Sequence, residues 1–201
     1  CNLLSFLAAG AGTPIDARHV RGAMALRANL LLRGHSGVRY EIIERLAAFL
    51  RVGATPVVRE LGSIGASGDL VPLATIARAI TGQSPYVRVE LGGEILEGPA
   101  ALSQLGFEPL ELQAKEGLAI VNGTSFSSAV AANCVAEARR LMAVAVATQA
   151  LMLRALRVQL EAFQPFVHRC KPHRGEIGTA ETMAGGRGDG PCWRHGTSCV
   201  S

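Results

Sequence analysis

Glu60-Leu61-Gly62-Ser63-Ile64-Gly65-Ala66-Ser67-Gly68-Asp69-Leu70-Val71-Pro72-Leu73 places a glycine-rich bend directly before an apolar helix. Asp69 is suited to N-cap that helix, Pro72 falls in its first turn where a missing N–H costs little, and Gly82 closes it. The bend therefore sits at a helix N-terminus, where aligned peptide dipoles supply positive potential. Asp69 has two readings there, cap or proton carrier, and the two are compatible.

Inside the bend, Ala66-Ser67-Gly68 can react with itself. The Gly68 nitrogen is an unhindered backbone nucleophile, and Ala66 presents a carbonyl with little bulk around it. Attack of one on the other closes a five-membered ring. Loss of water from that ring, and loss of the Ser67 hydroxyl as a second water across Cα–Cβ, leaves a methylene conjugated to an imidazolone, a strong Michael acceptor. Gly62 and Gly65 give the backbone freedom for the approach. A bend of this composition also occurs as an ordinary turn before a helix, so the surrounding sequence decides between the two.

Working outward, apolar periodicity predicts a mainly α fold, a long-helix bundle with one small β-hairpin. Pro14 and Asp16 signal a helix start, and Val20, Met24, Ala28 and Leu31 recur at steps of three or four as far as Gly34. Ile42, Ile43, Leu46, Ala47, Phe49 and Leu50 repeat the pattern up to Gly53 and Pro56. Val87, Val89 and Leu91 alternate with charged residues, and Gly92-Gly93 leads into Glu94-Ile95-Leu96, the pattern of a hairpin. From Thr124 to about Arg157 no Gly or Pro interrupts a stretch rich in Ala, Val, Leu and Met. Its apolar residues wrap more than one face, so it is expected to be a long helix buried among others.

The bulk properties narrow the function classes. A chain of 201 residues with 49% hydrophobic and 18% charged residues has the composition of a globular protein. Its net charge is +4, but the basic residues are scattered and aromatic residues are few, so no nucleic-acid partner is expected. The longest charge-free apolar run, Leu141 to Leu153, is shorter than the ~20 residues of a spanning helix, and no membrane association is expected. The five cysteines form no C-x-x-C pair, which fits a reducing, cytoplasmic location. His168, Cys170 and His173 are close in sequence but lack a supporting ligand cluster, and no metal is expected.

The run Glu60 to Leu73 resembles the signature of the histidine and phenylalanine ammonia-lyase superfamily. Lys115-Glu116-Gly117-Leu118-Ala119-Ile120-Val121-Asn122-Gly123-Thr124 resembles the same family's downstream active-site block. Arg27-Ala28-Asn29 with Gly34-His35-Ser36-Gly37, and Phe163-Gln164-Pro165-Phe166 with Lys171-Pro172-His173, resemble further family segments, especially of bacterial phenylalanine ammonia-lyases. The resemblance implies that Ala66, Ser67 and Gly68 become the prosthetic group 4-methylidene-imidazol-5-one. It also implies that Asn122 hydrogen-bonds near that group and that Leu70 and Leu118 line an aromatic substrate pocket. A homotetramer and the elimination of ammonia from an L-aromatic amino acid, giving cinnamate or coumarate, are implied with it. On the residues alone, Lys115-Glu116 reads equally as a salt bridge at a helix start, and Asn122-Gly123 as a turn.

The resemblance spans residues 2 to about 183. The chain enters an apolar element at once, Leu3 to Leu7 after Cys1, as expected of a segment of a longer protein. The family's base tyrosine lies upstream of the matching region and its carboxylate-binding arginine downstream. Neither Tyr40 nor Tyr86 matches a catalytic position, so these 201 residues alone are expected to be inactive. Residues 1–183 read as a partial catalytic core, and 184–201 as an unrelated Gly-rich tail, frameshifted or disordered. Histidine ammonia-lyase, giving urocanate, and a 2,3-aminomutase using the same electrophile are the alternatives within the family. A helical fragment in which Ala66-Ser67-Gly68 never cyclises is the alternative outside it.

Overall fold

The structure, a computed structural model, describes residues 2–7, 9–65 and 67–184. The expected Gly-rich tail, apart from its first residue, lies outside them. The chain forms two compact units, Cys1–Cys134 and Val135–Ser201.

The first unit contains α1 (Asn2–Phe6), β1 (Ala11–Pro14), α2 (Ala17–Leu32), α3 (Tyr40–Val52), β2 (Thr55–Pro56), β3 (Arg59–Leu61) and α4 (Leu70–Thr81). β4 (Arg88–Leu91), β5 (Glu94–Glu97), α5 (Gly98–Gln104) and α6 (Glu116–Val121) follow, and α7 (Ser125–Ala155) begins there. Asp16 caps α2 by accepting the Arg18 N–H at 2.9 Å. The periodic residues Val20, Met24 and Leu31 of α2 and Ile42, Leu46 and Phe49 of α3 are all buried, as their spacing predicts. α4 is the most enclosed helix, with Leu73, Ala74, Ile76, Ala77, Ala79 and Ile80 buried. Removing this apolar area from water is the main force positioning α4, and with it the bend at its start. At the other end of α4, Gly82 takes a left-handed C-cap and buried Arg45 donates to the Ile80 carbonyl at 3.1 Å.

The hairpin forms as expected: β4 and β5 pair antiparallel, with Leu91 opposite Glu94 across Gly92-Gly93. The β content exceeds the single expected hairpin. β2 adds to β4, and β1 pairs with β3 as a separate two-stranded sheet. Both additions lack an alternating apolar signal, because β2 is a Thr-Pro dipeptide and β1 is Ala-Gly-Thr-Pro. Tertiary contacts fix them instead. Glu60 accepts from the Thr13 hydroxyl at 3.0 Å, and the Ile15 N–H reaches the Val58 carbonyl at 2.9 Å.

The second unit contains the remainder of α7, a 3-10 turn (Leu160–Phe163), α8 (Pro165–Arg169) and α9 (Arg174–Ala184). α7 has the expected length, 31 residues, but not the expected burial: only Ser125, Phe126 and Ala129 are buried. Leu141, Val144 and Leu151 are 71%, 64% and 67% exposed. The described residues bring no partner helices to the faces that the sequence pattern prepares for burial. By length and composition alone Glu116–Ala155 is apolar enough to cross a membrane. A helix of that composition is equally what a helical bundle encloses. His168 is engaged locally, with Nε2 on the Ala162 carbonyl at 3.1 Å and Nδ1 on Glu176 at 3.2 Å.

Candidate active site

Ser67 and Gly68 stand immediately before α4, Ser67 exposed and Gly68 half-buried, while Ala66 lies outside the described residues. Upstream, the bend is anchored where β3 pairs with β1. Downstream it is locked against the turn between α6 and α7. Gly68 has φ +99°, and a Cβ there would lie 2.5 Å from the Gly123 nitrogen and 2.8 Å from its oxygen. Both the backbone angle and the contact demand glycine. The next N–H, that of Asp69, donates to the Gly123 carbonyl at 2.8 Å.

Asp69 occupies the N-cap position of α4, but its side chain makes no cap bond to that helix. This corrects the expectation of a local cap. The carboxylate is buried and reaches the start of α7 instead, accepting the Ser127 N–H at 2.7 Å and the Ser127 hydroxyl. Ser63, earlier in the bend, donates its hydroxyl to the same carboxylate at 2.8 Å. Burial alone would raise its pKa, but the bonds from Ser127, Ser63 and the Phe126 N–H outweigh it and hold Asp69 below the usual carboxylate value. Asp69 is an acceptor fixed in its charged form, which suits a cap and not a proton carrier.

Arg27 lies against the same turn. It is 1% exposed, and a Cβ on Gly123 would meet its Nη2 at 2.5 Å and its Nη1 at 2.8 Å. Its Nε and Nη2 are buried with no acceptor among the described residues. Desolvation lowers the pKa of this guanidinium, opposed by the charge of Asp69.

Glu116 turns out to be a structural anchor. It is buried and accepts from Arg39 Nε at 2.8 Å, Arg39 Nη2 at 2.7 Å and the Gln113 N–H at 2.7 Å. The Arg39 hydrogen bonds overcome desolvation and bring its pKa down to about 2. Of the two readings of Lys115-Glu116, the salt bridge describes Glu116, and it ties the start of α6 to the start of α3. Lys115 itself takes a left-handed conformation, φ 73°, at the N-cap of α6.

The remaining sequence-predicted residues lie on or at the ends of α4 and α6. Asn122 is the C-cap of α6 and immediately precedes the clamped Gly123. Leu70 opens α4, half-buried, and Leu118 lies on α6, 51% exposed. Asn29 of α2 and His35 and Ser36 after its end line one cavity of about 490 Å³ with Thr124 and Ser128. The structure thus brings Gly68, Asp69, Asn122, Gly123 and Arg27 into one cluster. Sequence reasoning gave no role to Ser63, Ser127 or Arg39, and quoted Arg27 only within its segment. The available signal was the placing of a charged residue on the apolar stripe Val20, Met24, Ala28, Leu31.

Comparison with known proteins finds relatives along most of the chain. The family model for aromatic amino acid lyases matches residues 1–192. A phenylalanine ammonia-lyase of Nostoc punctiforme is 48% identical over 182 residues, 90% of this chain and 32% of the relative. A histidine ammonia-lyase of Gloeobacter violaceus is 46% identical, covering 90% and 35%. Among solved structures, the phenylalanine ammonia-lyase of Rhodosporidium toruloides superposes with a TM-score of 0.84 at 33% identity, covering 90% of this chain and 30% of that one. A phenylalanine aminomutase of Pantoea agglomerans gives 0.82 at 35% identity, covering 90% and 34%. The chain spans about a third of the length of the relatives it matches.

Proposed function

Because this chain belongs to the aromatic amino acid lyase family, we propose that it carries the electrophile-forming segment of an ammonia-lyase acting on L-phenylalanine or L-tyrosine, with cinnamate or coumarate as product. The observation that carries this reading is the clamp of Gly68 on Gly123, beside Asn122 and at the N-terminus of α4. A tripeptide that must cyclise needs its third residue to be glycine and its backbone held by groups distant in sequence, and both conditions are met.

The residues present fit the methylidene-imidazolone. Ala66, Ser67 and Gly68 would become it, and Asn122 would hydrogen-bond beside it. When formed, the group supplies a Michael acceptor that turns the substrate amine into a leaving group. The N-terminus of α4 supplies positive potential at that point. Leu70 and Leu118 offer apolar surface to an aromatic ring. The exposed apolar residues of α7 support a homotetramer in which further helices cover them, and the cysteine pattern supports a cytoplasmic location. Residues 1–183 form part of the catalytic core, and alone they are expected to lack turnover.

Histidine ammonia-lyase, giving urocanate, is the second reading, favoured by a relative of that name at 46% identity against 48% for the phenylalanine enzyme. Intact mass of the full-length protein bearing these residues tests the electrophile. The expected value is two waters below that of the sequence, and an unmodified mass in folded protein would overturn the reading. Product analysis with L-Phe, L-Tyr and L-His separates the substrates, an arylacrylate from Phe or Tyr being the expected outcome.

A further inference from the structure

The lyase reading accounts for the bend and for Asn122 but leaves Arg27 without a role. A buried guanidinium with two nitrogens that find no acceptor among the described residues is costly, because a desolvated cation regains little unless it is paired. The groups around it define what it can do. Its guanidinium occupies the space where a side chain on residue 123 would go, Gly123 in turn fills the space of a side chain on residue 68, and the Asp69 N–H bonds to the Gly123 carbonyl. A guanidinium, a glycine and the bend form three consecutive layers. Burial disfavours the charged form of Arg27, and the negative charge of Asp69, the buried carboxylate of the cluster, favours it.

We propose that Arg27 is a positioning residue for formation of the electrophile: it braces the Asn122-Gly123 turn so that Gly68 stays pressed against Gly123 in the bent geometry that ring closure requires. The inference rests on the lyase reading and extends it to a residue one layer from the reacting atoms. Closure joins the Gly68 nitrogen to the Ala66 carbonyl carbon. The Ala66 oxygen leaves as water with the amide protons of Ser67 and Gly68, and the Ser67 hydroxyl leaves as a second water with its Cα proton. No oxidant or co-reactant is needed, so the protein's contribution is geometric. The planar guanidinium covers Gly123 as a plate, while Asp69, bonded to Ser63 and Ser127, ties the bend to the start of α7.

The test is the time course of intact mass in the full-length protein, with thermal melts beside it, for the parent, Arg27→Met and Arg27→Lys. The parent is expected to become two waters lighter. Folded R27M is expected to lose those waters more slowly by roughly tenfold to a hundredfold, the usual scale for a small misplacement of reacting groups. R27K, which keeps the charge but not the plate, is expected to fall between them. A folded R27M or R27K that loses the waters as fast as the parent overturns the inference and leaves the lyase reading intact. If both variants fail to fold, Arg27 is a core cation and the inference is overturned as well. A parent with unmodified mass overturns the lyase reading itself, and this inference with it.

Discussion

Asp69 precedes α4 but caps α7: its carboxylate accepts the N–H of Ser127 at 2.7 Å, 58 residues along the chain. One buried charge therefore holds the bend, through Ser63, to the first turn of a second helix. Asp69→Asn keeps the shape and removes the charge-assisted bonds, whose individual contribution is about 1.5–3 kcal/mol. We expect a destabilisation of that order in denaturant titration of the full-length protein, with an unchanged far-UV spectrum at low denaturant. The pKa of Asp69 is depressed in the folded state, so its stabilising contribution is present above the ordinary carboxylate value and is lost as pH falls through the lower, folded value.

Glu116 gives a second pH dependence with a defined window. Its pKa falls from 4.5 to about 2, so the stability it contributes is complete above 4.5 and disappears as pH drops towards about 2. In Glu116→Gln, stability measured by thermal melting is expected to lose part of its acid dependence between those values. An unchanged acid profile in that variant would show that the link from α6 to Arg39 does not depend on charge.

Gly68→Ala introduces a methyl 2.5 Å from the Gly123 nitrogen at a backbone angle that L-residues rarely adopt. A strained angle of this kind costs on the order of 1–3 kcal/mol, and the clash adds to it. The expected outcome is a lower melting temperature together with an unmodified intact mass.

Ser67→Ala removes the hydroxyl that leaves as the second water while leaving exposed surroundings undisturbed. The full-length variant is expected to melt within about 0.5 kcal/mol of the parent, as exposed substitutions usually do. Turnover of L-Phe is expected to vanish; retained activity would sink the proposed chemistry.

Periodicity located α2, α3 and the β4–β5 hairpin, because each is set by apolar residues at regular spacing within one segment, while Pro72 and Gly82 marked α4 and a run free of Gly and Pro gave the length of α7. It missed β1, β2 and β3, whose pairing is decided by what the fold brings alongside them. Of the candidate site, Ala66-Ser67-Gly68 and Asn122-Gly123 were legible as motifs. That Gly68 and Gly123 touch, and that Asp69 serves α7 rather than its own helix, were not, since these relations cross more than fifty positions of sequence and have no local pattern. The burial expected for α7 is absent for a related reason: composition reports that a face is apolar, not which segment covers it.

The clamp on Gly68 also has an order in time. A chain synthesised only as far as Gly106 already contains Ser67 and Gly68 but neither Gly123 nor Ser127, the residues that hold the bend and Asp69. The clamped geometry of Gly68 is a property of the completed first unit, acquired only after α6 and the start of α7 have joined the core.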